Sequence, residues 1–380
     1  MLSEPTYLAA RMVAPTIEAH FAQHQAATSQ RGDDPLLAPL PVAAITEAII
    51  DAAFWASLRR EEGRPPKISL VLLPPTHTAQ PLVFGYRRRL TPLNLIKLAP
   101  AVEQPGTHLG VWHNQDGLYV WGSVTNVPPL CFVLEVVEPG LLVIKHRRSD
   151  GFGKFINVAI LRGDQIQVVD EDNLGAAGRP PLRNSLLELL LPPNDEADNI
   201  LVELAGAMRA HGRGGLVLVV PSDSEQWRAS IVQPMSYPVV PSYTSIADLV
   251  RQKEKHKNSL EWQQALLHAI SIVGGFTAVD GATVITQQYH LLAFGAKVAR
   301  IANGTPVEQL VVTEPVVGNE AQKIHPAQNG GTRHLAAAQF VHDQRDSLAL
   351  VASQDGYFTV FTWSEELHMV HAHRIDTLLL

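Results

Sequence analysis

Apolar positions along the chain change spacing more than once, and each change marks an element. Over residues 1–28, Leu8, Met12, Ile17 and Phe21 recur at helical intervals, which predicts a helix with Pro15 as a kink or break. A polar loop containing Gly and Pro follows, and Ile45, Ile49, Ile50 and Phe54 predict a second helix over 43–60 with charge near its end. From Lys67 the texture becomes short β-rich runs between turn residues, at 68–73, 110–113, 118–124, 131–137, 141–146 and 155–161. This half reads as an α+β domain whose mostly antiparallel sheet carries two helices. Residues 173–184, rich in Gly and Pro, read as a linker.

A new pattern opens near Asn194. Residues 199–210 have helical spacing, a Gly-rich turn follows at 212–215, and 216–220 is an unbroken apolar strand of the kind buried on both faces. Helices at 245–253 and 260–273, strands at 282–285 and 291–298, a loop ending at Gly331, a helix, and strands at 348–353 and 357–363 complete the series. Alternating helices and strands predict a layered α/β domain with a mixed central sheet. The domain expectation is therefore 1–190 and 195–370, within the two-domain prior for 380 residues.

A net charge of -7 gives a long-range field of the wrong sign for nucleic acid or an anionic membrane. A single cysteine, Cys131, excludes an intrachain disulfide framework and reads as a buried structural thiol in an apolar run. No uninterrupted apolar window of about 18 residues and no basic-then-apolar leader is present, so the expected location is the cytoplasm.

Two segments carry candidate chemistry. In Val279-Asp280-Gly281-Ala282-Thr283-Val284-Ile285 a carboxylate and a glycine stand just before a buried strand, which exposes the acid at a strand edge and lets a ligand approach the backbone. In Gly330-Gly331-Thr332-Arg333-His334-Leu335 a flexible loop enters a helix, and free amides beside Thr332, Arg333 and His334 would cradle phosphate. Taken singly, an Asp-Gly pair also reads as a turn and a helix-start Thr as a cap.

Together the two segments resemble the diadenylate cyclase family, which has Asp-Gly-Ala before a strand and Gly-Thr-Arg-His-Arg entering a later helix. Asp280, Gly281 and Ala282 match the first, and Gly331, Thr332, Arg333 and His334 match most of the second. Gly214-Gly215-Leu216-Val217-Leu218-Val219 is similar to the family's early Gly-Ala-Leu-Ile-Val strand, and Leu350-Val351-Ala352-Ser353-Gln354 to its late strand ending in Ser-Gln or Ser-Glu. The resemblance covers roughly residues 195–365. The first domain, by its position, resembles the sensor regions placed ahead of this catalytic domain, including a DACNV-like class.

The resemblance implies that two ATP molecules, one in each of two facing domains, are joined into cyclic di-AMP with release of pyrophosphate. It implies a homodimer or higher homo-oligomer and Mg²⁺ or Mn²⁺ as cofactor. Asp280 would hold the metal near the attacking hydroxyl, Arg333 would pair with phosphate oxygens, and His334 would donate to them or assist the metal. Thr332 and Gly331 would position the phosphates, Gly281 and Ala282 would keep the wall thin beside the nucleotide, and Gly215, Leu216 and Ser353 would complete the binding surface. One departure stands out: the family's second arginine is Leu335 here, with Lys297 or Arg300 as candidate replacements for the lost charge. Two rivals follow, a nucleotide or cyclic-dinucleotide receptor using the same pocket, and a scaffold that binds no nucleotide.

Other features read as structural. Residues 151–154 read as a hairpin turn, since Gly151, Phe152, Gly153 and Lys154 lack phosphate-loop spacing. His368, His371 and His373 read as a solvated terminal surface, Arg87, Arg88 and Arg89 as a solvated edge, and His342 and Asp343 as polar side chains facing solvent.

Overall fold

In the computed structural model, residues 5–30, 37–147, 155–169, 200–252 and 259–379 are described. The turn read at 151–154 and the linker at 173–184 lie outside them. The chain divides into two compact units, Met1–Asp170 with Leu380, and Glu171–Leu379, each mixing helices with a sheet.

The first unit begins with α1 (Leu8–Gln30) and α2 (Ala43–Ser57). Pro15 lies inside α1 without ending it. The buried face of α1 is Ala10, Val13, Ala14, Ile17 and Phe21, whereas Leu8 and Met12 are 64% and 63% exposed. Ile17 and Phe21 thus face the core as expected, while the other two of the four residues read as its apolar stripe face solvent. Asp51 on α2 closes the start of α1, accepting from the backbone N–H of Thr6 and Tyr7 at 2.8 Å each.

The sheet comprises β1 (Ile68–Leu72), β2 (Leu82–Arg89), β3 (His108–Asn114), β4 (Gly117–Val124), β5 (Phe132–Glu138), β6 (Leu141–Arg147), β7 (Phe155–Arg162) and β8 (Gln165–Val168), with α3 (Pro92–Leu98) between β2 and β3. Among the described residues the order is β2-β4-β3-β1-β5-β6-β7-β8, with β1 and β3 parallel and the other pairs antiparallel. All five residues of β1 are buried, as expected of a central strand covered on both faces. Trp121 packs against Gly110, where a Cβ would fall 2.3 Å from the indole, and its Nε1 donates to the Leu73 carbonyl at 2.7 Å. Cys131 belongs to the same buried cluster, and burial pushes its thiol pKa up, which keeps it inert. The three arginines lie exposed on β2, an edge strand, with Arg87 over the Tyr119 ring at 4.5 Å.

The second unit runs α4 (Ile200–Ala210), β9 (Gly215–Val220), β10 (Tyr237–Tyr243), α5 (Ser245–Arg251), α6 (Leu260–Phe276), β11 (Ala282–Thr286), β12 (Leu291–Ala296), β13 (Leu310–Thr313), β14 (Gln322–Ile324), α7 (Pro326–Asn329), α8 (Thr332–Asp343), β15 (Leu348–Ala352), β16 (Phe358–Ser364), β17 (Met369–Arg374) and α9 (Asp376–Leu379). Its sheet has the order β10-β12-β11-β9-β15-β16-β17-β13-β14 and is mixed: β9 with β11 and β13 with β17 are parallel. One face packs on α4 and α6 through Leu204, Met208, Leu266 and Val273, and the other on α8 through Ala337, Ala338, Phe340 and Val341. The layers place the loops before β9 and β11 at one end of the sheet.

Candidate functional site

Register fixes that end. Ala282 of β11 stands beside Leu216 of β9, and Ala352 of antiparallel β15 stands opposite Gly215. The residues before β9, before β11 and after β15 therefore leave the sheet on the same side. Every residue of β9 and β11 is buried, so exposed polar groups of these segments gather at the strand ends.

The start of α8 reaches this place. Arg333 Nη1 lies 3.1 Å from where a Cβ on Gly214 would stand, and Gly214 takes a φ of +70° that only glycine adopts without strain. Gln354 Nε2 donates to the Arg213 carbonyl at 3.3 Å, tying the turn after β15 to the turn before β9. Asp280 is 85% exposed at its side chain and accepts from Lys297 Nζ at 2.5 Å. Lys297 holds the Asp280 carboxyl below the usual carboxylate range, with Arg333 adding to the effect. The α8 N-cap, Gly331, contributes no side-chain acceptor, so the first amides of a 12-residue helix face outward beside exposed Thr332. Arg213, Lys297 and Arg333 set against Asp280 leave the surface positive, which suits an anion.

The remaining residues read as site members lie differently. His334 is buried, edge-on to Phe361 at 5.9 Å, with Gly330 so close that a Cβ there would fall 2.5 Å from His334 Nδ1. Burial, with Arg374 adding to it, lowers its pKa to about 4, so it is neutral at pH 7 and braces the helix start from beneath. Leu216 and Ala282 are core residues under the site, and Gly215 packs on the backbone of Thr277. Gly281, at φ +113°, admits the backbone of Gly295, against which a Cβ would close to 2.5 Å. Its close approach is to a neighbouring strand, where a ligand was expected. Ser353 Oγ accepts from the Tyr357 amide at 3.2 Å and closes the turn into β16. Leu335 is 39% exposed.

His211 was not singled out in the sequence. Its Nδ1 accepts from the Arg213 amide at 3.1 Å, so the opposite nitrogen donates to Thr277 Oγ1 at 3.0 Å. Burial, Arg213 and Arg333 lower its pKa. On the other flank of the α8 start lies a cleft of about 450 Å³ lined by Glu314, Asn319, Gln328 and Arg374 among others. Arg374 is held there by Glu314 at 2.8 Å and Asn329 at 3.2 Å.

Two surface expectations are corrected. His371 and His373 are buried on β17, both bonded to Thr313 Oγ1, at 3.1 and 2.9 Å, because the parallel pairing of β13 with β17 covers them. The Asp343 side chain is 1% exposed and accepts from the Ile301 amide at 3.1 Å, anchoring the loop after β12 to α8.

Residues 36–125, from just before α2 through β4, match the family model described as "Probable sensor domain DACNV". No curated protein matches the chain. The first unit thus carries a probable sensor domain, and no helix among the described residues is long and apolar enough to cross a membrane.

Proposed function

We propose that the second unit is a diadenylate cyclase regulated by the sensor domain ahead of it, joining two ATP molecules into cyclic di-AMP plus pyrophosphate across a face-to-face homodimer in the cytoplasm. The observation that carries this reading is the meeting of Arg333, Gly214 and Asp280, drawn from three separate motifs, at one sheet end. Arg333 and the α8 amides bind phosphate oxygens, and Thr332 lies beside them. Each ribose 3′-hydroxyl attacks the α-phosphorus of the opposite nucleotide, so that two P–O bonds form, two pyrophosphates depart and the two hydroxyl protons pass to solvent. Asp280 stands on an open surface, so a second copy is needed to supply the opposing nucleotide and to exclude water.

The donor set fits a hard divalent cation held by one carboxylate and by substrate phosphates, with Asp280 as the protein ligand once Lys297 moves to phosphate. Bound there, Mg²⁺ or Mn²⁺ would neutralise phosphate charge and acidify the hydroxyl. Incubation with ATP and Mn²⁺, read by mass spectrometry, is expected to yield cyclic di-AMP. Absence of any cyclic dinucleotide from dimeric protein would reject the reading.

A receptor that binds ATP or a cyclic dinucleotide without turnover is the second reading. The Lys297–Asp280 pair favours it, because a carboxylate already neutralised by lysine is a weaker metal ligand. Tight nucleotide binding with no product, unaltered in Leu335→Arg, would support the receptor.

A further inference from the structure

Away from that site, α1 and β6 bring three imidazoles together in the first unit. His20 and His24 stand one helical turn apart on the same face of α1, and His146 faces them from β6. One ring nitrogen from each lies within 4.8 Å of the others. The ring centroids are 4.3 Å apart for His20 and His24, and 5.5 and 5.4 Å from His146 to each. Phe21 packs edge-on against His146, so one wall of the cluster is apolar, while His20 and His24 are half-buried and leave a path from solvent.

His20 Nε2 is buried and makes no hydrogen bond, an omission that folded proteins rarely tolerate without an ion or water at the atom. His146 Nδ1 donates to the Arg147 carbonyl at 3.0 Å, which places the ring lone pair on Nε2. The same carbonyl contact is how metal-binding histidines are oriented.

We propose that His20, His24 and His146 form a binding site for a divalent transition-metal ion, Zn²⁺ fitting best, with the fourth position open to water or a small anion. Tetrahedral Zn²⁺ with bonds of about 2.0–2.1 Å sets its nitrogen ligands roughly 3.3 Å apart, within reach by modest ring rotation. An all-imidazole set selects transition metals over Mg²⁺ and Ca²⁺, which take oxygen ligands. The ion clamps α1 to β6, so its occupancy bears on how the helix packs against the sheet. All three histidines lie outside residues 36–125, so the match to the sensor family does not assign the site.

The test uses the full chain, stripped with chelator and titrated with Zn²⁺ by calorimetry and with Co²⁺ by visible absorption. A single ion per chain, with the intense ligand-field bands of four-coordinate Co²⁺, is expected. His24→Ala, at a half-buried position, should weaken binding by more than the roughly 10- to 100-fold cost of losing a group that merely orients a ligand. His371→Asn, in the second unit, should bind as the wild type does. Melting with and without Zn²⁺ separates lost ligation from lost folding: Zn²⁺ should raise the Tm of the wild type and not that of a folded His20→Gln. Wild-type protein that takes up no Zn²⁺ or Co²⁺, or equal affinities for wild type and His24→Ala, overturns the proposal.

Discussion

The guanidinium of Arg333 fills the space that a side chain at Gly214 would need, and so joins the start of α8 to the turn before β9. Gly214→Ala should therefore act twice. The left-handed backbone costs about 1–2 kcal/mol, and the methyl group displaces Arg333. Gly212, at φ +63° with open space around it, separates the effects. Gly212→Ala should lose stability in urea titration yet keep ATP binding, whereas Gly214→Ala should lose both. Equal ATP binding by the two variants would remove Arg333 from the nucleotide site.

Asp280 touches the rest of the protein chiefly through Lys297 on an exposed surface. Asp280→Asn is expected to leave the urea midpoint essentially unchanged. In metal-free buffer it should bind ATP more tightly, because a negative charge near the phosphates is gone and Lys297 is released. Product formation with Mn²⁺ should vanish. Retained turnover would place the metal ligand elsewhere.

Leu335→Arg introduces a cation at a partly exposed position one turn into α8. Positive charge near a helix start costs about 0.3–1 kcal/mol, so a slight drop in Tm is expected. A gain in turnover of up to about 10²-fold is expected if the missing contact limits the reaction. Steady-state rates with ATP and Mn²⁺ measure it, and no gain moves the balance toward the receptor.

Buried histidines predict acid sensitivity. Burial holds His108, His334 and His371 to a pKa of about 4. Unfolded, each titrates near 6.5. Below that value the unfolded chain takes up protons that the native state refuses, so stability is intact above about pH 6.5 and falls as the pH drops toward 4. Urea midpoints at pH 7.5 and 5.5 should differ in that direction, and His334→Gln should narrow the gap. A gap unchanged by the substitution would mean that His334 is not buried as a neutral ring.

What could be read from the sequence follows from which forces dominate locally. Uninterrupted apolar runs such as 216–220 announced their strands, since burial on both faces leaves no other composition. Strand β2 was missed because its run of apolar residues followed by arginines, Leu82–Arg89, lacks alternation and is largely exposed, and β10 carries Pro238 and Pro241, which obscure a strand pattern. The histidines of β17 were misjudged for the opposite reason: they are buried within the sheet, and pairing with β13 supplies the Thr313 hydroxyl that satisfies them. At the candidate site, motif order indicated which segments to compare. The contact of Asp280 with Lys297 and the inward turn of His334 depend on register and helix rotation, which spacing does not carry. His20 and His24 show the i,i+4 spacing, yet only docking of α1 on β6 reveals the third member.

Among the described residues, one edge of each sheet is a strand that discourages growth. Arginines crowd the outer margin of β2, and β10 contains two prolines that lack an N–H to offer. A second molecule sliding alongside either margin would meet like charge or absent donors. Self-assembly by extending a continuous ribbon is thus obstructed on those two flanks.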